Sequence, residues 1–171
     1  MIDIAQTARL ILRQFTQDDA AFFLELVNDP DWIRFIGDRG VRTLDDARLY
    51  IEDRLMAAYA RHGFGFWLVA LKDDSPIGMC GLIKRDGLDD VDIGFAFLPW
   101  YRGRGYALEA AQATLAIARD VFGLRRIVAI ASVDNDQSER LLEKLGFRFK
   151  RVMRLPNDDE DVKLFVLDAD D

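Results

Sequence analysis

The run Arg102-Gly103-Arg104-Gly105-Tyr106-Ala107 has the residue types and spacing suited to holding an anion. It stands where an apolar, strand-forming stretch, Val91 to Leu98, gives way past Pro99 to an alanine-rich stretch, Leu108 to Phe122. Valine, isoleucine and phenylalanine favour a strand, and proline cannot donate to a ladder, so the strand stops there. Ala107, Ala111, Leu115, Ala118 and Phe122 then recur at spacings of four, four, three and four, which is one apolar face of a helix. The glycines therefore mark a helix start. Its first-turn N–H groups lack internal acceptors and carry the positive end of the helix dipole, and glycine has no Cβ to hold a phosphate off. Each hydrogen bond to a charged acceptor contributes about 1.5–3 kcal/mol, so several together suit a pyrophosphate. Arg102 and Arg104 add positive charge. A plainer reading is a tight strand-to-helix connection. The third glycine of a dinucleotide fingerprint is replaced by Leu108 or Glu109, and a complete Walker A motif is absent.

The elements that must position this loop follow from periodicity and punctuation. Arg9 to Gln14 reads as a strand, and Thr16 with Asp19 opens a helix running to about Asn28. A short helix follows Pro30, and Thr43 with Asp46 caps another that ends at His62-Gly63. Phe66 to Leu71 and Ile77 to Lys84 form a hairpin about Asp73-Asp74-Ser75-Pro76. After the glycine loop and its helix come a strand from Arg126 to Ser132 and a helix from Asp136 to Leu145, ended by Gly146. Phe147 to Leu155 and Asp161 to Leu167 close the chain as a hairpin. The order β-α-α-β-β-β-α-β-α-β-β does not alternate regularly. It predicts an α+β fold, with a mixed, mostly antiparallel sheet of about seven strands flanked by helices.

Composition narrows the function classes. The chain has 171 residues, half of them hydrophobic, and is expected to form one domain over residues 1–171. A net charge of −7 argues against nucleic-acid binding, which requires surplus Lys and Arg, and suits cationic substrates, although it also serves solubility alone. There is no apolar run long enough to span a bilayer and no secretory leader, so a soluble cytoplasmic protein is expected. One cysteine, Cys80, lies in an apolar strand and reads as a buried structural thiol. With one histidine and one cysteine there is no metal-ligand cluster.

Arg102-x-x-Gly105-x-Ala107 resembles the (Gln/Arg)-x-x-Gly-x-(Gly/Ala) signature of the GNAT acetyltransferase superfamily. Three further blocks resemble its ribosomal-protein N-terminal acetyltransferase-like branch. They are Thr7 to Arg13 followed by Asp18-Asp19-Ala20, Ile93 to Pro99, and Asn135 to Phe147. The resemblance implies a GNAT fold whose glycine loop binds the pyrophosphate of acetyl-CoA through Arg102, Gly103, Arg104, Gly105, Tyr106 and Ala107. It also implies that strands Val91 to Leu98 and Arg126 to Ser132 splay to admit the pantetheine arm. A backbone N–H at Phe97 or Leu98 would polarise the thioester carbonyl. Asn135 would reach the pantetheine and Ser138 the departing sulfur, although Asn135 is also an ordinary helix cap and Ser138 an ordinary solvated hydroxyl. Many relatives carry a tyrosine acid where this chain has Leu142.

Acetyl transfer to an amine also needs a proton acceptor, because an amine of pKa 8 to 10 is mostly protonated at neutral pH. Asp92, near the start of the strand before the loop, is the candidate base, acting directly or through water. A solvent-facing turn carboxylate beside Asp89 and Asp90 is the alternative. Trp32, Phe35, Tyr59 and Trp67 are the aromatic candidates for the acceptor pocket, with core packing as their plainer role. The expected activity is N-acetyl transfer from acetyl-CoA to a primary amine, a protein N-terminus or a small molecule, in a ternary complex by a monomer or homodimer. A non-catalytic CoA-binding module and a transferase of another acyl-CoA are the alternatives.

Overall fold

In the computed structural model, which describes residues 2–169, the β-rich runs join into one eight-stranded sheet. In chain order the strands are β1 (Asp3–Gln6), β2 (Leu10–Gln14), β3 (Phe66–Leu71), β4 (Pro76–Ile83), β5 (Asp92–Phe97), β6 (Arg126–Ser132), β7 (Arg148–Met153) and β8 (Val162–Asp168). Across the sheet they run β1-β2-β3-β4-β5-β6-β8-β7. Every neighbouring pair is antiparallel except β5 with β6. The mixed sheet agrees with the irregular element order. β1 is the strand that the sequence pattern misses: four residues with aspartate and glutamine at its ends and a bulge against β2 leave too little alternation to read.

Side chains alternate between the two faces of the sheet. Trp67 and Val69 join one core with Leu10, Leu12, Ile77, Cys80, Leu82 and the small residues Ala110, Ala111 and Ala118 of helix α5 (Tyr106–Asp120). Leu68 and Ala70, one residue out of step, join the other with Phe15, Phe23, Leu26, Ile51 and Leu98. Alanines on α5 let that helix lie close over the sheet, while larger side chains fill the opposite layer. Burying each large apolar side chain contributes about 1.5–3 kcal/mol. Cys80 is fully buried with its Sγ 3.3 Å from Thr114 Oγ1, and burial pushes its thiol up to about 12, so it is unreactive.

The helices packed on the second face are α1 (Ala20–Val27), α2 (Pro30–Phe35) and α3 (Leu44–Tyr50), whereas α4 (Ala57–His62) sets Tyr59 against the first core, and α5 and α6 (Asp136–Lys144) follow later in the chain. The capping pattern at Thr43 is realised in both directions. Thr43 Oγ1 accepts from the Asp46 N–H at 3.0 Å, and the Asp46 carboxylate accepts from the Thr43 N–H at 3.1 Å. Asp19 is bonded to the Thr16 N–H and is gripped bidentately by the buried Arg13 at 2.7 and 2.9 Å. Between α3 and α4 the helix widens into a π turn, Ile51–Met56, which the sequence pattern did not reveal. Gly63, at φ 80°, ends α4 in the left-handed conformation.

Candidate active site

The parallel strands β5 and β6 share one register pair, Asp92 with Val128, fastened by a 3.0 Å bond from the Val128 N–H to the Val91 carbonyl. Beyond it they part, and a cleft of about 980 Å³ opens over the gap. That is the size of a small-molecule site. The Leu98 N–H donates to Ile77 of β4 at 2.9 Å. Because antiparallel ladders alternate, the polar groups of Phe97, Phe95 and Ile93 therefore face the gap. Leu98, expected to share in polarising a carbonyl, has its amide committed to the sheet and lies outside the cleft wall. The Phe97 amide is the one on the gap side.

Gly103 and Gly105 both adopt positive φ, 73° and 82°, which bends the chain into the start of α5. The first backbone bond of α5 runs from the Glu109 N–H to the Gly105 carbonyl at 3.1 Å, so the amides of Tyr106, Ala107 and Leu108 precede the helical ladder. Gly103, Gly105, Tyr106 and Ala107 line the cleft; Arg104 does not. Instead the Arg104 carbonyl accepts from Arg9 Nη1 at 2.9 Å, while Arg9 Nε reaches Glu109 at 3.1 Å and the guanidinium sits 4.4 Å from the Tyr106 ring centre. Thr7 Oγ1 also donates to Glu109, at 2.9 Å. The turn between β1 and β2 thus braces the loop.

Arg102 departs from the expectation of a free positive charge. Its Nε donates to the Phe97 carbonyl at 3.0 Å, and its two remaining nitrogens bond Asp31 at 2.5 Å and Asp29 at 2.8 Å. Two carboxylates more than offset one guanidinium. The amides and the glycine turns, rather than this side chain, make the loop receptive to an anion.

Asp92 lies at the closed end of the gap and is fully buried. Burial pushes its carboxyl up to about 6; the nearby guanidinium of Arg85, whose Nε is 3.1 and 3.4 Å from the two oxygens, opposes that rise by charge and hydrogen bonding. A carboxylate near 6 is largely ionised at neutral pH and still basic enough to take a proton. The alternative of a solvent-facing turn residue does not fit its burial.

On the β6 side, Asn135 caps α6, accepting from the Ser138 N–H at 3.2 Å, and both residues line the cleft. Leu142, one turn on, is buried in the same wall and carries no proton to give. The four aromatic candidates separate. Trp32 and Phe35 of α2 line the cleft. Tyr59 and Trp67 do not: Trp67 is a core residue of β3, and the Tyr59 hydroxyl accepts from the Phe15 N–H at 3.1 Å and donates to the Phe66 carbonyl. Among the described residues no group of His, Cys, Asp and Glu can hold a metal, and no helix is long and apolar enough to cross a membrane.

The sequence model of the acetyltransferase (GNAT) domain matches residues 9–148, which contain both splayed strands, the glycine loop and α6. The chain belongs to the GNAT acetyltransferase family. The uncharacterized N-acetyltransferase YnaD of Bacillus subtilis (strain 168) is 31% identical over 142 residues, covering 83% of this chain and 81% of that protein. A GNAT-family acetyltransferase of known structure from Bacillus anthracis is 28% identical with a TM-score of 0.79 and full coverage of both chains. The fold also matches RimL, a ribosomal L7/L12 α-N-protein acetyltransferase in complex with coenzyme A, at TM-score 0.83 and 19% identity over 98% of each chain.

Within this GNAT N-acetyltransferase the sequence reading passed over Arg85, Arg9, Asp29 and Asp31. Arg85 lies just past the end of β4 and faces Asp92 because β4 and β5 pair antiparallel, with Ile83 opposite Asp92. Arg9 lies inside the matched opening block, so its position was visible but its partner was not. Asp29 carries a readable signal, since aspartate before proline caps a helix; it accepts from the Trp32 N–H at 3.4 Å.

Proposed function

We propose that the protein transfers the acetyl group of acetyl-CoA to a primary amine, by direct attack of the amine in a complex that holds both. One observation carries this reading: a helix start with open amides, an unpaired strand edge and a buried carboxylate meet at a single gap in the sheet. The glycine loop suits a diphosphate because the amides of Tyr106, Ala107 and Leu108 precede the helical ladder and Gly103 and Gly105 line the cleft beside them. Gly103, Gly105, Tyr106 and Ala107 would hold the phosphates, and the gap-side edge of β5 would pair with the amides of the pantetheine arm. Acetyl-CoA, when bound, supplies the activated thioester.

Asp92 takes the proton that an ammonium must lose before it can attack. Because Asp92 is fully buried, neither the amine nor a water touches it as the site stands, and the proton would reach it through a water admitted when the closed end of the cleft loosens. The Phe97 N–H is the donor assigned to the developing oxyanion. Asn135 is assigned to the pantetheine, and the Ser138 hydroxyl to a hydrogen bond with the departing thiolate, which takes its proton from solvent because Leu142 stands where many relatives carry a tyrosine acid. The acceptor lies on the side walled by Trp32 and Phe35. Likeness in fold to an α-N-protein acetyltransferase adds a protein N-terminus to small amines as an acceptor class.

Titration calorimetry with acetyl-CoA, followed by thiol release with spermidine, a lysine peptide and peptides with unblocked N-termini, tests this. Binding with turnover of at least one amine is the expected result. Binding with no turnover across that panel would leave a CoA-binding regulatory module. A longer acyl-CoA that outcompetes acetyl-CoA would reassign the donor, and no affinity for any CoA species would overturn the reading altogether.

A further inference from the structure

We infer that Arg102 is a positioning residue, one that ties the acceptor wall to the cofactor edge of the sheet, rather than a ligand of the phosphates; this rests on the coenzyme A reading above. A guanidinium is a rigid fork of N–H donors, and here each side of the fork is in use. Nε holds the carbonyl of Phe97, the last residue of β5. The other nitrogens hold Asp29, the cap of α2, and Asp31 in its first turn. Asp29 is buried, so replacing this arrangement by water is costly.

The other end of α2 is fastened to the opposite strand. Ser132 Oγ, at the end of β6, donates to the Phe35 carbonyl at 2.9 Å, and Arg34 pairs with Asp134 just beyond it at 3.2 Å. Helix α2 therefore spans from the tip of one splayed strand to the tip of the other. It carries Trp32, Ile33 and Phe35 in the cleft wall. The Trp32 indole N–H is buried without an acceptor among the described residues. Through Arg102, the residue whose N–H borders the thioester site, Phe97, sets the near end of this bridge by its carbonyl. Fixing the glycine loop with a cofactor fixes Arg102, and Arg102 fixes α2 before an amine arrives.

Hydrogen exchange followed by mass spectrometry, with and without saturating coenzyme A, reads this coupling without needing the acceptor. In the wild type, coenzyme A is expected to slow exchange both in the loop, residues 103–109, and in α2, residues 30–36. In Arg102→Lys, whose compact ammonium lacks the planar fork that reaches three separated acceptors, and in the Asp29→Asn, Asp31→Asn double variant, loop protection and affinity for coenzyme A persist while protection of α2 is lost. The single Asp31→Asn change, at the more exposed carboxylate, makes the same comparison should the double variant not fold.

Protection of α2 that persists in these variants, or that is absent in a wild type whose loop is protected, overturns the inference. So does tighter coenzyme A binding in Asp31→Asn, which would mean that a freed Arg102 had turned to the phosphates. A wild type that shows neither loop protection nor calorimetric binding overturns the cofactor reading itself, a result distinct from each of these.

Discussion

Asp92 and Val128 form the one register pair joining β5 to β6 among the described residues, and the same Asp92 is the fully buried carboxylate at the closed end of the cleft. The residue where the sheet begins to open is thus the residue with the strongest reason to exchange a proton. Its backbone is held by two neighbouring strands, so its carboxylate sits on a rigid base while the walls beyond it diverge.

Asp92→Asn removes the proposed proton acceptor and keeps the shape. Turnover is expected to fall on the order of a hundred- to ten-thousand-fold, with affinity for acetyl-CoA retained. The wild-type profile of kcat/KM against pH should show an acid limb near 6, where burial has raised the Asp92 carboxyl. The variant should lack that limb. Stability has a definite sign too. Between the ordinary carboxylate range near 4 and the folded value of about 6, the folded chain binds more proton than the unfolded chain, so this group's contribution falls as pH rises through that window and stays low above it. Urea midpoints measured from pH 4 to 7 should show this decline in the wild type relative to Asp92→Asn.

Arg85→Gln separates the two influences on Asp92. Desolvation stays, while the charge and hydrogen bond that favour the carboxylate are lost. The acid limb is expected to move to higher pH, with maximal turnover preserved better than in Asp92→Asn. An unchanged limb would assign it to another group.

Gly103→Ala and Gly123→Ala form a matched pair. Both glycines have positive φ, 73° and 64°, and a Cβ at either meets no atom within 4 Å. Each substitution should therefore cost a similar strain, about 1–2 kcal/mol, in urea denaturation. Only Gly103 lines the cleft. Weakened acetyl-CoA binding in Gly103→Ala alone, measured by calorimetry, is the expected outcome. Gly105→Val is a poorer probe, because the branched side chain at φ 82° strains the helix start whatever binds there.

How far the site could be read from sequence depended on how local each signal was. The start of α5 is legible because glycines, proline and a four-three apolar spacing all lie within one stretch of chain. The splay of β5 from β6 entered only through family resemblance, since no local pattern records where two parallel strands part. Arg102 reads as a cation on its own; only the fold brings Asp29 and Asp31, some seventy residues earlier, onto its guanidinium. Tyr59 shows the same limit, because an aromatic in a helix looks alike from sequence whether its hydroxyl faces a pocket or a backbone.

Tyr59→Phe tests that last assignment. The hydroxyl accepts from Phe15 and donates to Phe66, joining the chain just after β2 to the first residue of β3. Its burial raises the phenol far above its ordinary value, so it stays protonated and remains a donor at any working pH. Removing it leaves a backbone N–H and a carbonyl without their partner, at a cost of about 1–3 kcal/mol. The expected result is a lower urea midpoint with unchanged acetyl-CoA affinity and unchanged KM for the amine. A raised KM at unaltered stability would return Tyr59 to the acceptor pocket, and with it the need to find a path from α4 to the cleft.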